Sequence, residues 1–306
     1  MERQPKIRVG TRSSALARWQ AEWVASQLTR LGCMVDLIQI STAGDVQREG
    51  PIGAIGSQGV FTKELQRALL DDRVDVAVHS LKDMPTDTVA GLVLASVPTR
   101  ESPHDALVAQ GGQQLDELPP GARIGTGSQR RRAQLLHYRN DLHIEPIRGN
   151  VDTRLRKLDE GQYDAIMLAE AGLLRLGLGD RVSQLLPFEV MLPAVGQGAL
   201  GIEARVADET TRRLVAQFDD RSTRAAVFAE RAMLASLRGG CSAPIGGWAR
   251  VVDRRLQLDG VVLTGDGSQR ISASGSGELA DAEQIGRDVA AQLDDMGSDE
   301  LIAATG

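Results

Sequence analysis

The sequence predicts an α/β protein, two α/β domains followed by a smaller α+β domain. Three observations carry that prediction. Short apolar runs such as Val74-Asp75-Val76-Ala77-Val78 and Ala165-Ile166-Met167-Leu168-Ala169 alternate with segments of helical periodicity, the pattern of buried parallel strands joined by helices. The alternation pauses near residue 100, at the proline-containing stretch Val97 to Pro103, and returns after residue 105. Beyond residue 240 it gives way to three longer β segments and one helix. A chain of 306 residues has the length for two or three hydrophobic cores.

Ile7 to Val9 reads as the first strand, and Ser13 or Ser14 caps a helix whose apolar positions Leu16, Trp19, Trp23, Val24, Leu28 and Leu31 keep helical spacing. Val35 to Ile40 is a second strand, Phe61 to Leu70 an amphipathic helix, and Val74 to Val78 a buried strand, completing a βαβ unit. The second domain has strands at Ala106 to Ala109, Arg123 to Gly125, Ile144 to Ile147 and Ala165 to Ala169, with helices at Ser128 to Tyr138 and Val151 to Leu158. Pro193 to Gly198 is a second junction. Leu200 to Glu203 is a strand, and a helix from about Ser222 to Leu237 stops at Gly239-Gly240. Ile245 to Val252, Leu256 to Leu263 and Gln269 to Ser276 form a meander with Asp-Gly turns, followed by a helix from Ala280 to Met296. Residues 1–98 with 199–217 are the expected first domain, 104–193 the second and 222–306 the third. No internal repeat is visible in the sequence.

Hydrophobic residues at 42% and charged residues at 25% are globular proportions. No run approaches the roughly 18 apolar residues of a membrane span, and the charged opening segment does not resemble a secretion signal. Cys33 and Cys241, the two cysteines, show no metal-ligand spacing, so neither a disulfide framework nor a metal site is expected, and a reducing cytoplasm fits. A net charge of −6 opposes general nucleic-acid affinity. Only Lys6, Lys63, Lys82 and Lys157 are lysines among 35 basic residues. GC-rich codon usage explains such a bias as readily as function does, so position decides which arginines matter.

Open α/β sheets bind ligands beyond the carboxyl ends of their strands. Four such places stand out. Gly10-Thr11-Arg12-Ser13-Ser14 opens a helix with amides, hydroxyls and an arginine able to hold an anion, and equally reads as a plain helix cap. Gly125-Thr126-Gly127-Ser128-Gln129-Arg130-Arg131-Arg132 has the same layout without the ending of a P-loop. Successive helical residues point about 100° apart, so at most two of its three arginines serve one site and the third is solvated. At Val78-His79-Ser80-Leu81-Lys82-Asp83-Met84-Pro85 a buried strand runs into two charges that need not pair, which leaves Asp83 to a ligand or to a simple turn. Gly239-Gly240-Cys241-Ser242-Ala243-Pro244 sets a cysteine on a glycine turn, a reactive thiol rather than a buried apolar one. The four histidines show no ligand pattern.

Together with Arg148-Gly149-Asn150-Val151-Asp152-Thr153-Arg154-Leu155 and Leu192-Pro193-Ala194-Val195-Gly196-Gln197-Gly198-Ala199, these stretches resemble the porphobilinogen deaminase family, in order and across essentially the whole chain. The resemblance implies two domains like those of periplasmic binding proteins with a cleft between them, plus a small third domain carrying the cysteine. It also implies an enzyme, a transferase of tetrapyrrole biosynthesis, that condenses four porphobilinogen molecules head to tail with loss of ammonia and releases linear hydroxymethylbilane with water. The primer would be a covalent dipyrromethane cofactor on Cys241, held by Lys82, Ser128, Arg130, Arg131 and Arg154. Arg12, Ser14, Arg148 and Arg175 would bind substrate. Each pyrrole carries an acetate and a propionate, which suits a lining of arginines. Asp83 would face the azafulvene cation left by ammonia, or deliver the proton to the departing nitrogen, and both roles stay open.

The expected partners are porphobilinogen and its polypyrrole intermediates, with no nucleic acid, no membrane and a monomeric chain. Some positions depart from the family pattern. In the lid-like loop Gly50 to Gly59, Ala54 and Gln58 stand where lysines are common, and Ala43 replaces a usually basic residue. Phe61 is read as core rather than as a ring contact. The competing class is a two-domain anion or amino-acid binding protein without catalysis, which would have no use for Cys241.

Overall fold

In a computed structural model of the protein, residues 4–40, 62–237 and 243–304 are described. The chain divides into two compact units, residues 1–100 with 199–224 and residues 101–198 with 225–306. The first stretch of the first unit contains strand β1 Lys6–Thr11, helix α1 Ala15–Arg30, β2 Met34–Gln39, α2 Lys63–Leu70, β3 Val76–Ser80 and β4 Leu92–Ser96. The second unit begins with β5 Asp105–Ala109, β6 Arg123–Gly125, α3 Gln129–Tyr138, β7 His143–Glu145, α4 Val151–Asp159, β8 Ala165–Ala169, α5 Glu170–Arg175 and β9 Gln184–Leu185. Then come β10 Leu200–Arg205, α6 Glu209–Val215, α7 Arg221–Ser236, β11 Ile245–Val252, β12 Arg255–Leu263, β13 Arg270–Gly277, α8 Ala282–Asp295 and α9 Ser298–Ala303.

The sheet of the first unit has the order β2-β1-β3-β10-β4, with β1 parallel to β2 and β3, and β10 antiparallel to β3 and β4. The central position of β3 explains its apolar run: Val76, Ala77 and Val78 are buried, as is His79. Ser14 caps α1, its hydroxyl accepting from the Ala17 amide at 3.3 Å, and α1 buries Gln20, Ala21, Val24 and Leu28 on one stripe. Against that stripe pack Ile7, Val9, Val76, Val78 and Ile202. Lys63–Leu70 is shorter than the helix read from Phe61, and Phe61 lies outside the described residues, as do Ala43, Ala54 and Gln58.

The second five-stranded sheet, β7-β6-β8-β5-β9, repeats the arrangement: β6 lies parallel between β7 and β8, and β5 runs antiparallel to β8 and β9. The repeat absent from the sequence is therefore present in topology. In each unit a Gly-Thr step at the end of a strand leads into a serine-capped helix, Thr11 to Ser14 in one and Thr126 to Ser128 in the other, and both threonines are buried.

The third sheet is the antiparallel meander β11-β12-β13, covered by α8, whose Ile285, Val289 and Leu293 share a core with Ala229 and Met233 of α7. One expected turn is misplaced. Asp259-Gly260 lies inside β12, where a Cβ on Gly260 would come within 2.5 Å of the Met233 sulfur. The connection between β11 and β12 is Asp253-Arg254, both residues left-handed at φ 48° and 64°, a two-residue hairpin turn of the kind that matches strand twist. Asp266-Gly267 does turn the chain between β12 and β13, with Gly267 at φ 74°. His104 stacks on Phe188 at 4.1 Å between ring centroids, Phe188 on Trp248 at 3.7 Å, and the Arg250 guanidinium lies over Trp248.

Candidate functional site

The end of β3 shows how the fold presents Asp83. Beyond Ser80 the chain makes one tight turn, Leu81–Asp83, in which Leu81 and Met84 are buried and Asp83 is exposed. The Leu81 amide donates to the Ala199 carbonyl at 3.0 Å and the Met84 amide to the Leu81 carbonyl at 3.1 Å, so apolar anchors and backbone bonds fix the turn on both sides. The Asp83 carboxylate has no hydrogen bond or ion pair among the described residues, and the half-buried Lys82 forms no ion pair with it.

Behind that turn lies a polar chain that sequence reasoning missed. His79 Nε2 is 3.2 Å from Glu203 Oε2, Gln66 Nε2 donates to Glu203 Oε1 at 3.1 Å, and all three residues are buried. Gln20 of α1 donates to the Ser80 hydroxyl at 2.8 Å. His79 and Glu203 stand on neighbouring strands, β3 and β10, a pairing that sequence distance hides.

At the N-terminus of α1, Arg12 is half-buried and the Ser14 oxygen is the helix cap. Thr11 is held inward, its hydroxyl donating to the Ala17 carbonyl at 2.9 Å. Unit for unit, Ser128 does the same for α3, accepting from the Arg131 amide at 3.4 Å. Serine caps leave the hydroxyl proton available to an anion.

The three consecutive arginines separate as helical geometry requires. Arg130 and Arg131 share one partner, Asp105, and are buried with it. Arg132 is half-buried and donates to the Ile144 carbonyl at 3.2 Å, so it is not the solvated residue expected, although it does leave the shared site. Asp105 was not foreseen. Its one sequence signal was a charge opening an otherwise apolar strand.

Arg148, Arg154 and Arg175 are half-buried. Arg154 Nε donates to the Gly149 carbonyl at 2.8 Å, closing the loop ahead of α4, and Lys157 reaches the Arg148 carbonyl at 3.4 Å. Arg175, at the end of α5, donates to the Gly198 carbonyl at 2.6 Å. Burial pulls its pKa down to about 10, with Glu101 working in the opposite direction. Cys241 and its glycines lie outside the described residues. Cys33 is buried, and desolvation raises its thiol pKa, which marks it as core.

Residues 7–213 match the family description "porphobilinogen deaminase, dipyromethane cofactor binding domain", and residues 224–295 match "porphobilinogen deaminase, C-terminal domain". The chain belongs to the porphobilinogen deaminase family. Relatives include the porphobilinogen deaminase of Pelotomaculum thermopropionicum, 48% identical over 97% of this chain and 96% of that one. That of Desulforudis audaxviator is 49% identical over 97% of each. Among solved structures, the chain has a likeness to the methionine binding protein MetQ, at 15% identity and a TM-score of 0.44 over 69% of this chain and 88% of that one. Family membership makes the protein an enzyme, a transferase, whose cofactor is dipyrromethane. No helix among the described residues is long and apolar enough to cross a membrane.

The residues present fit such a cofactor. A dipyrrole with acetate and propionate arms asks for several cationic or hydroxyl donors, and the second unit carries such groups in Ser128 at the start of α3, Arg148 ahead of α4 and Arg154 within it. The pair Arg130 and Arg131 brings two guanidiniums to a single internal carboxylate, so one positive charge remains unbalanced within the trio.

Proposed function

We propose that this protein condenses four porphobilinogen molecules head to tail, releasing ammonia at each step, and frees hydroxymethylbilane by hydrolysis. It works as a monomer in the reducing cytoplasm, where Cys241 stays available as a thiol, and its net charge of −6 argues against nucleic-acid partners. When bound through a thioether to Cys241, the dipyrromethane supplies the nucleophilic pyrrole carbon that starts the chain. Arg130, Arg131, Arg154, Lys82 and Ser128 hold its carboxylates, and Arg12, Ser14, Arg148 and Arg175 hold those of the substrate.

The observation that carries this reading is Asp83, an exposed carboxylate on a turn fixed by buried anchors and engaged by no described residue, in a chain of this family. Loss of ammonia from the substrate's aminomethyl group develops positive charge shared with the pyrrole nitrogen. A preoriented carboxylate beside that N–H stabilises the charge more in the transition state than before it. A protonated Asp83 would also deliver the proton to the departing nitrogen. A non-catalytic binding protein, the competing reading, is not favoured by family membership.

Two measurements test the proposal. Intact mass of the wild type should exceed the sequence mass by one dipyrrole, and Cys241→Ser should return it to the sequence mass while the protein stays folded; a normal cofactor mass on that variant refutes the attachment site. Asp83→Asn should keep the cofactor and bind porphobilinogen, yet release ammonia about a hundred to a thousand times more slowly, the usual cost of about 2.7–4 kcal/mol for losing one preorganised electrostatic group. Asp83→Glu, which keeps the charge, should retain more activity than the amide. Near wild-type ammonia release by a cofactor-loaded Asp83→Asn would reduce Asp83 to a turn residue.

A further inference from the structure

Asp105 opens β5 and is completely buried, with its backbone fixed on both sides: it pairs with Ala169 of β8, and its carbonyl accepts from the Leu186 amide at 2.9 Å. Its carboxylate receives Arg130 Nη1 at 2.7 Å and Nη2 at 3.2 Å, together with Arg131 Nε at 2.8 Å and Nη2 at 2.7 Å. Each guanidinium has a second tether on a backbone carbonyl, Arg130 on Leu192 at 2.6 Å and Arg131 on Met167 at 2.9 Å. Gln134 fixes the first of these carbonyls from the other side, donating to Leu192 O at 3.0 Å and accepting from the Leu192 amide at 2.8 Å.

A role confined to stability does not account for this set. Removing two guanidiniums from water is costly, and one carboxylate neutralises only one of them; a single arginine or an apolar pair would serve a core better. The second guanidinium makes sense if an anion from outside the protein completes the balance. A long arginine side chain left to itself samples many rotamers, and ordering it on binding is unfavourable. A fixed internal carboxylate removes that disorder beforehand.

We propose that Asp105 is a positioning residue for the Arg130–Arg131 pair, holding both guanidiniums in one arrangement with a single excess positive charge that a carboxylate of the dipyrromethane balances. This role rests on the cofactor reading above, and it adds a protein carboxylate to a site otherwise described by its cations. Asp105 acts through the two arginines and touches no reacting atom.

The test uses the full chain as expressed. Asp105→Asn is nearly isosteric and keeps one acceptor, but leaves two buried guanidiniums without a counter-charge. Circular dichroism establishes folding, and intact mass reads the fraction of chains that carry the dipyrrole. The expected result is a folded variant with about tenfold lower loading, equivalent to about 1.4 kcal/mol for ordering the released arginine side chains on binding. Asp105→Glu, which restores the charge one methylene away, should recover part of it. If Asp105 were only structural, Asp105→Asn would melt at lower temperature and still be fully loaded, and that outcome overturns the proposal. Should Asp105→Asn fail to fold, Arg130→Gln combined with Asp105→Asn removes one charge of each sign. Its loading should fall several-fold below that of Arg130→Gln alone, and equal loading overturns the proposal. A wild-type chain without the dipyrrole would overturn the functional reading and this role with it, whereas a fully loaded wild type beside a fully loaded Asp105→Asn removes only the role of Asp105.

Discussion

Arg131 and Arg132 adjoin on one helix and belong to different chemistry. Arg131 is buried against Asp105, and Arg132 reaches only a backbone carbonyl of β7. Arg131→Leu should cost about 1–3 kcal/mol in urea unfolding for the charged hydrogen bonds lost, Asp105 still being neutralised by Arg130, and should lower cofactor loading as well. Arg132→Leu should stay within about 1 kcal/mol with loading intact. Equal damage from both would refute the separation. That two of the three arginines would share a site was legible from helical geometry. That their common partner would be Asp105, about 25 residues earlier on strand β5, was not, because residue spacing within α3 says nothing of which strand lies beneath it. Cys33 makes the complementary case: its thiol is buried in the core of the first unit, and desolvation raises its pKa, which disfavours the thiolate that bond formation needs. Cys33→Ala should therefore keep the full dipyrrole mass, and loss of that mass would show that the wrong thiol has been assigned.

At the scale of elements, the strands with strong apolar runs and the serine-capped helices appear where the sequence places them. β6, β8 and β11 match residue for residue, and Ser14 rather than Ser13 is the cap. The strand β4 and the helices α5 and α6 went unread: α5 has six residues and α6 seven, too short for a periodic pattern, and β4 is an edge strand with half-buried positions. Gly198 is a junction glycine whose importance only the packing reveals. It sits at φ 84°, a Cβ there would collide with the Glu101 carbonyl, and its own carbonyl accepts from both the Glu101 amide and Arg175. Gly198→Ala should cost about 1–3 kcal/mol of stability from backbone strain, read as a lowered melting temperature, and should weaken substrate binding through Arg175. An unchanged melting temperature would show that the junction relaxes freely.

Across the molecule, a central acid of the first unit is Asp75, whose carboxylate receives the Arg8 amide at 2.8 Å, the Arg8 side chain, and Arg205 Nη2 at 2.8 Å. Burial works to raise its pKa, but the bonds from Arg8 and Arg205 prevail and bring it down to about 2, from 3.8 for the free group. A pKa depressed by folding contributes stability that is complete above about pH 4 and is lost as the pH falls toward 2. The difference of nearly two pKa units corresponds to about 2 kcal/mol. Asp75→Asn should therefore show lower stability than wild type at pH 5 and a much smaller gap near pH 2, followed by circular dichroism in urea; a gap independent of pH would refute the linkage. By itself the sequence determined the fold class, most strands and helices, and the family, together with the turns that bear Arg12, Asp83 and Ser128, because these rest on local periodicity, capping and motif order. Only the tertiary structure decided that two five-stranded sheets share one topology, that His79 meets Glu203, and that Arg130 and Arg131 close on Asp105. Those facts depend on which strands become neighbours, and strand pairing is settled by the burial of whole sheet faces rather than by any residue's local spacing.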